Sequence, residues 1–145
     1  MDDRVREFWK RSVAATGIDG EYTAWAFGDD ATELGRLVRD GPKRATASLL
    51  AGYEDEEPLP KGGDLSVVLD GNGDPLCVIR TTHVEVRRFG DVDEEFAWTE
   101  GEGDRSLKHW RRAHVAFFAS EGTVVDEDTE VVLERFELLW SGVGE

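Results

Sequence analysis

Cysteine, methionine and long apolar runs are scarce in this sequence of 145 residues. The single cysteine, Cys77, excludes an internal disulfide and a metal site that rests on cysteines. Its place in an apolar run predicts a buried, inert thiol. No stretch approaches the roughly 18 consecutive apolar residues of a membrane-spanning helix, and the first residues lack the regions of a signal peptide. We therefore expect a cytoplasmic protein with no membrane partner.

Positive charge is also scarce, since 17 basic residues stand against 32 acidic ones and the net charge is −15. Phosphate contacts supply most nonspecific affinity for nucleic acids, and this average field repels a polyanion. Duplex DNA is therefore not an expected partner, although a locally positive cleft is compatible with the charge. Hydrophobic residues make up 39% of the chain, enough for a packed core, and the length predicts a single domain over residues 1–145.

Helical spacing of apolar residues predicts three helices, each bounded by a residue that suits a helix end. The first ends at Gly17, the second begins at a capping box opened by Asp30 and ends at Gly41, and the third is capped by Ser106. A short helical turn is predicted over 91–98. The apolar positions are Val5, Phe8, Trp9 and Val13 in the first helix, Ala31, Leu34, Leu37 and Val38 in the second, and Leu107, Trp110, His114, Phe117 and Phe118 in the third.

Alternating apolar residues predict strands in the remaining segments. A short strand is expected over 22–28, and a β-hairpin joins 65–69 to 76–86 through the turn at 70–74. That turn resembles the start of a calcium loop but lacks its glycine and its glutamate, so no metal is expected there. The closing segment slips phase between Leu133 and Phe136, which predicts a strand bent by a bulge. The pattern predicts an α+β fold with a small curved sheet or barrel and flanking helices.

Two polar segments attract attention as places for chemistry. In the first, Gly41 and Pro42 fix the backbone just before Lys43 and Thr46, although a lysine after a helix is commonly a solvated charge. In the second, over 97–104, three carboxylates alternate with two glycines. A solvated acidic loop or a divalent cation held by oxygen ligands are the alternatives for that segment.

Taken together and in order, these segments resemble the ASCH domain family, whose fold is like that of the RNA-binding PUA domain. The similarity covers roughly residues 23–140, so residues 1–20 form an N-terminal helical extension. The sequence resembles the long bacterial or archaeal members of the family. The matching motifs are Gly41-x-Lys43-x-x-Thr46, the pre-strand motif with Pro60, Gly62 and Gly63-Asp64, the segment from Val92 through Phe96-Ala97-x-x-Glu100-Gly101, Trp110-Arg111-x-x-His114, and Phe117-Phe118.

The resemblance implies action on RNA or on nucleosides derived from it. The family includes amidohydrolases that cleave acylated cytidines, reported ribonucleases, and domains of transcription coactivators. In the amidohydrolases a lysine, a threonine and a glutamate form the working group, and these fall on Lys43, Thr46 and Glu100. Two mechanisms are open. In the first, Lys43 activates the Thr46 hydroxyl as the nucleophile, and Glu100 protonates the departing amine or orients a water. In the second, Glu100 activates water as the nucleophile, and a charged Lys43 stabilises an oxyanion. No cofactor or metal is expected.

Six further residues are predicted to contact the substrate. The arginines suit phosphates or base edges, and the aromatic rings suit stacking on a base. His114 is either a general acid or a hydrogen-bonded core residue. The main alternative to an enzyme is a noncatalytic module that recognises RNA or a modified base, and a protein-interaction domain is a third reading. The six residues are Arg44, Tyr53, Arg80, Trp98, Arg111 and His114.

Overall fold

The computed structural model describes residues 2–53 and 58–142, which contain four α-helices and five β-strands. The helices are α1 (Asp3–Thr16), α2 (Ala31–Asp40), α3 (Glu94–Glu100) and α4 (Leu107–Ser120). The strands are β1 (Tyr22–Ala26), β2 (Ala45–Leu49), β3 (Leu65–Leu69), β4 (Pro75–Arg88) and β5 (Glu130–Trp140). Short 3-10 turns follow β2 (Leu50–Gly52) and β4 (Phe89–Asp91).

The strands form one mixed sheet in the order β1-β3-β4-β5-β2. β1 pairs with β3 in parallel, and the other pairings are antiparallel. The sheet curls into half a barrel with the helices around it, which confirms the predicted α+β fold with a small curved sheet and flanking helices. The edge strands β1 and β2 both contribute residues to one cleft, so the sheet is open between them.

The sheet is bent by two irregularities in the pairing of β4 with β5. Thr82 is the extra residue on β4, and Leu139 is the extra residue on β5. The sequence predicted a bend in β5 between residues 133 and 136, and the pairing does shift between Arg135 and Phe136, but the extra residue is Thr82 on the partner strand. Residues 131–133 are all buried, so both faces of β5 are covered there.

Apolar residues on the two faces of the sheet pack against different helices, because successive side chains of a strand point to opposite faces. Val67 and Val78 pack against α1, whereas Val68 and Ile79 face α2. A third cluster joins α3 and α4 to β2 and β5. Phe8 and Trp9, the aromatic pair of the first helix, are buried in the core.

The helix ends follow from their capping residues. The Asp30 carboxylate accepts from the Glu33 amide, and the Ser106 hydroxyl accepts from the His109 amide. Gly17 ends α1 in the left-handed region with a φ of 75°. These ends confirm the helices predicted from the sequence. In residues 2–53 and 58–142, no helix combines the length and the apolar character needed to cross a bilayer.

Strand β2 was not predicted. Its residues, Ala45–Leu49, lack a clear alternation of apolar and polar side chains, and as an edge strand it pairs with β5 alone. It extends the turn that carries Lys43 and therefore fixes where Thr46 lies. The turn at 70–74 is held by its own side chain, since the Asp70 carboxylate accepts from two amides within it.

Candidate functional site

Lys43 lies in the short turn between α2 and β2. The amides of Gly41 and Lys43 both donate to the Leu37 carbonyl, at 3.1 and 3.2 Å, which folds the chain back on the end of the helix. The Lys43 side chain then points inward and is completely buried. Its ammonium group donates to the Ala45 carbonyl at 2.8 Å and to Glu102 Oε2 at 2.8 Å.

Glu100 is the last residue of α3 and is also buried. Gly101 ends the helix with a φ of 73°, which turns the chain so that the Glu100 side chain stays inside. Glu100 Oε1 lies 3.6 Å from Lys43 Nζ and 3.0 Å from His114 Nε2. Glu100 Oε2 accepts a hydrogen bond from the Trp110 indole.

The two polar segments that the sequence singled out are joined through their backbones. The Arg44 amide donates to the Thr99 carbonyl at 2.9 Å. Gly101 lies so close to the other segment that a Cβ atom there would be 2.9 Å from the Lys43 Cα and nitrogen and from the Pro42 carbonyl carbon. A residue without a side chain is therefore required where the segments meet.

His114 is buried in α4 and both of its ring nitrogens face acceptor oxygens. Nδ1 lies 2.8 Å from the Trp110 carbonyl oxygen, and Nε2 lies 3.0 Å from Glu100 Oε1. Only a doubly protonated ring donates at both positions, so this geometry favours the imidazolium form. Burial alone would lower the pKa of His114, but the charge of Glu100 and hydrogen bonds to Glu100 and Trp110 raise it above the ordinary value.

The two carboxyl groups beside Lys43 differ in their affinity for a proton. Burial alone would raise the pKa of Glu100, but the charges of Lys43 and His114 and the hydrogen bonds lower it to about 2. Burial raises the pKa of Glu102, and the hydrogen bond and charge of Glu100 add to this against the charge of Lys43. Glu100 therefore favours its ionised form, and Glu102 binds a proton more readily than Glu100 does.

These shifts predict how the stability of the protein depends on pH. The contribution of Glu100 is present above pH 4.5 and is lost as the pH falls toward 2. The contribution of His114 is present below pH 6.5 and is lost as the pH rises through its raised pKa. For these two groups, the free energy of unfolding is highest between those limits. Urea unfolding at a series of pH values measures it.

The matched variants for the alkaline side are His114→Gln and His83→Gln. His83 is exposed, so His83→Gln controls for the loss of a histidine at the surface. His114→Gln removes the group that loses its proton, so the decline of stability above pH 6.5 becomes shallower. The same decline in His114→Gln and in the wild type would show that another group causes it.

A cleft of about 1120 Å³ opens on the face of the sheet that also carries the α2 cluster. Its floor is polar and comes from four adjacent strands, through Ser66, Thr81, Glu134 and Thr46. Thr46 and Glu134 are cross-strand neighbours on β2 and β5. The walls are largely aromatic. They include Trp25, Phe27, Tyr53, Phe117 and Phe118.

The charged cluster lies directly behind the wall of this cleft. Phe27 lines the cleft, and the Lys43 Nζ atom is 5.2 Å from the centre of its ring. Phe118 also lines the cleft, and its ring centre is 5.8 Å from that of His114. Thr46, which lines the cleft, directly follows the Ala45 carbonyl that Lys43 binds. The three residues of the predicted working group therefore belong to one region, with Thr46 on the open side.

The residues predicted to contact substrate are dispersed. Tyr53 lines the cleft and its hydroxyl lies 2.9 Å from the Ser48 hydroxyl. Arg44 donates to two backbone carbonyls, at 3.0 and 2.6 Å. Arg80 alternates with the cleft residue Thr81 along β4, so it points to the other face, where it pairs with Glu137 at 2.5 Å.

The last two predicted contacts lie on α3 and α4, outside the lining of the cleft. Trp98 is 58% exposed, and the Arg105 guanidinium stacks 3.6 Å from the centre of its ring. Arg111 is exposed and donates to the Gly90 carbonyl at 3.3 Å. Any ligand they bind would have to extend beyond the cleft.

Three polar residues of this region were not among the predicted site residues. Glu102 was only part of the acidic loop, and Thr81 and Glu134 were ordinary strand residues. The signal for Glu134 is an acidic side chain on the same face of β5 as the buried Phe136. Thr81 Oγ1 donates to Glu134 Oε2 at 2.7 Å, which only the pairing of distant strands reveals.

Comparison with known proteins identifies the family. The model of the ASCH domain matches residues 23–140. An ASCH domain from Lactobacillus crispatus JV V101 is 33% identical over 97% of this chain and 96% of its own, with a TM-score of 0.86. A protein from Enterococcus faecalis V583 is 34% identical over 100% of this chain and 98% of its own, with a TM-score of 0.84. No curated protein matches the chain.

The match begins at Thr23, so α1 precedes it, yet the L. crispatus structure is similar over 97% of the chain. The matched range contains both polar segments, the strands that form the floor of the cleft, and α4 with His114. Of the motifs that suggested a family in the sequence, those that carry Lys43, Glu100 and His114 meet in the fold. The chain belongs to the ASCH domain family.

Proposed function

We propose that this protein is a hydrolase that cleaves the amide of an acylated nucleoside such as an N-acylated cytidine, using Lys43, Glu100 and Thr46 together with Glu102. The observation that carries the proposal is the buried cluster of two cationic and two carboxyl groups directly behind the cleft wall. The burial of charged groups costs free energy, and such groups are commonly found at catalytic sites. A small nucleoside also suffers less repulsion from a chain of net charge −15 than an RNA strand does.

Lys43 acts as a charged group in this proposal. An ammonium group has three hydrogens to donate, and Nζ donates to three oxygens: the Ala45 carbonyl and Glu102 Oε2 at 2.8 Å, and the Glu100 carbonyl at 3.5 Å. Glu100 Oε1 lies close by, at 3.6 Å. This supports the arrangement with a charged Lys43, whose positive charge acts from behind the Phe27 ring on the negative oxygen that develops when the amide carbonyl is attacked. It disfavours the arrangement in which a neutral Lys43 removes the proton of Thr46.

The proton transfers fall to Glu102 rather than to Glu100. A carboxyl group with a pKa of about 2, as in Glu100, is a weak base and is ionised at neutral pH. Its role is to hold Lys43 and His114 in place. Glu102 has a raised pKa and is the more exposed carboxyl, with 24% side-chain exposure against 2% for Glu100.

The reaction then proceeds in two balanced steps. The oxygen of a water molecule bonds to the acyl carbon, the π electron pair of the carbonyl moves onto its oxygen, and one proton of the water passes to the Glu102 carboxylate. The carbon–nitrogen bond then breaks, and the same proton passes from Glu102 to the departing nitrogen, which leaves a carboxylic acid and an amine. The Thr46 hydroxyl, on the cleft side, donates to or accepts from the substrate.

Turnover of acetylated cytidine and of a short single-stranded RNA by the purified protein tests this proposal. We expect the acetylated nucleoside to be deacylated, and Glu102→Gln and Glu100→Gln to slow turnover by about 100-fold or more. Thr46→Ala keeps measurable activity, because water rather than Thr46 attacks. Lys10→Ala serves as the control and leaves turnover unchanged, because Lys10 is exposed on α1 and does not line the cleft.

Circular dichroism of each variant separates loss of chemistry from loss of fold. Unchanged turnover in folded Glu100→Gln and Glu102→Gln would place the reaction elsewhere. Complete loss in folded Thr46→Ala would restore Thr46 as the nucleophile. RNA cleavage without deacylation would make the protein a ribonuclease.

A noncatalytic RNA-binding module is the second candidate. The exposed Trp98 ring with the Arg105 guanidinium 3.6 Å from its centre supports it, because aromatic rings and arginines stack on unpaired bases. Affinity for single-stranded RNA would then fall as the salt concentration rises, and Trp98→Ala would weaken it. No binding at low salt would remove this candidate.

A further inference from the structure

Glu134 is the carboxyl group on the floor of the cleft, and the fold holds it in a defined position. Thr81, which is 1% exposed, donates to Glu134 Oε2 at 2.7 Å. On β2, Thr46 lies directly opposite Glu134. The second oxygen, Oε1, has no hydrogen bond to any residue in 2–53 or 58–142, so it is left to accept from a ligand.

The fixed charges of the cleft determine which ligands it tolerates. Among the described residues that line it, the acidic ones outnumber the single lysine, Lys61, whose Nζ atom is 3.4 Å from Asp64 Oδ1. A phosphate group would therefore meet repulsion with no unpaired cation to offset it. The acidic residues are Glu21, Asp64, Glu121 and Glu134.

The walls favour a flat ligand. Trp25 and Phe27 meet edge to face, with ring centres 5.0 Å apart, and Tyr53 lines the cleft with them. Aromatic walls over a polar floor suit a planar ring whose faces contact the walls and whose polar edge reaches down. Burial also raises the pKa of Glu134, against the hydrogen bond from Thr81, so this carboxyl gains from an N–H partner.

We infer that Glu134, positioned by Thr81, selects the ligand of this cleft by accepting from N–H groups on the edge of an uncharged or cationic heterocycle, and that the cleft rejects phosphorylated forms. The inference rests on the proposed function in one respect, which is that the heterocycle is a nucleobase. It adds that Glu134 recognises the base by hydrogen bonding and that the cleft prefers a nucleoside to a nucleotide.

Isothermal titration calorimetry with cytidine, uridine, adenosine and guanosine, and with the 5′-monophosphate of each, tests the inference. At least one nucleoside is expected to bind at least about 10-fold more tightly than its monophosphate, with a smaller ratio at high salt. Glu134→Gln weakens the binding of that nucleoside by about 10-fold to 100-fold, which is the effect of losing a hydrogen bond to a charged group. The control, Glu130→Gln, removes an exposed carboxylate from the same strand and leaves the affinity unchanged.

Three results would overturn the inference: no nucleoside binds at millimolar concentration, a monophosphate binds as tightly as its nucleoside, or Glu134→Gln binds as the wild type does. The comparison of nucleoside with nucleotide uses the wild type alone, so it holds even if the variant misfolds. Plain nucleosides are not hydrolysed, so their binding is measured separately from catalysis. If nucleosides bind but acetylated cytidine is not turned over, the proposed hydrolase function is wrong and the inference stands. If Glu134→Gln turns over acetylated cytidine as fast as the wild type does, the inference is wrong and the hydrolase function stands.

Discussion

Replacing Lys43 with methionine is expected to lower the free energy of unfolding by about 3–5 kcal/mol at neutral pH, the cost of leaving buried charges without their partner. Lys43 is completely buried between Glu100 and Glu102, at 3.6 and 2.8 Å. Methionine keeps most of the volume but removes the positive charge and the donors. Urea unfolding measures the change.

Two further variants separate the charge from the packing. Lys61→Met makes the same chemical change at an exposed lysine paired with Asp64 and costs under about 1 kcal/mol. Lys43→Met combined with Glu102→Gln regains part of the loss, because one unpaired carboxylate is then removed. If the double variant is no more stable than Lys43→Met, lost packing and not unpaired charge causes the destabilisation.

Gly101→Ala is expected to lower the free energy of unfolding by about 2–5 kcal/mol, the sum of backbone strain and a steric clash. The φ of 73° strains any residue with a side chain. The added methyl group would lie 2.9 Å from backbone atoms of Pro42 and Lys43, which have no freedom to rotate away. The clash therefore forces apart the two segments that hold Lys43 and Glu100.

Gly17→Ala is the matched control, since its φ of 75° is nearly the same and nothing lies within 4 Å of the added Cβ atom. That variant costs about 1 kcal/mol, from strain alone. The difference between the two variants measures the close approach of the segments. Equal losses in both would mean that the contact at Gly101 relaxes without effect.

The helices and the hairpin were predictable because their signals are local. Asp30, Ser106 and Gly17 sit at helix ends that their side chains or backbone angles favour, and the cap at each is formed within a few residues. Strand β2 carries no such signal. It is a strand because β5 pairs with it, and that contact joins residues far apart in the sequence.

The same distinction applies to the site. Lys43, Thr46 and Glu100 were predicted through motifs, and the structure brings the Lys43 and Glu100 side chains within 3.6 Å. Their roles in a reaction stay a prediction. Glu102 and Glu134 were missed, because residue type among 32 acidic residues does not show which ones lie beside a lysine or a threonine, and the place of Glu134 on the face of Phe136 is only a weak signal. Burial in three dimensions, and not residue type, distinguishes them.

The order of the strands also has a consequence for how the protein is made. β1 and β2 are near neighbours in the sequence, yet they occupy opposite edges of the sheet, and β2 pairs only with β5. During synthesis on the ribosome, β2 therefore has no strand to pair with until β5 emerges. Contacts between residues so distant in sequence form late in folding. We therefore expect the nascent chain to assemble the β1–β3–β4 part first, and Thr46 and Glu134 to come together only when β5 docks.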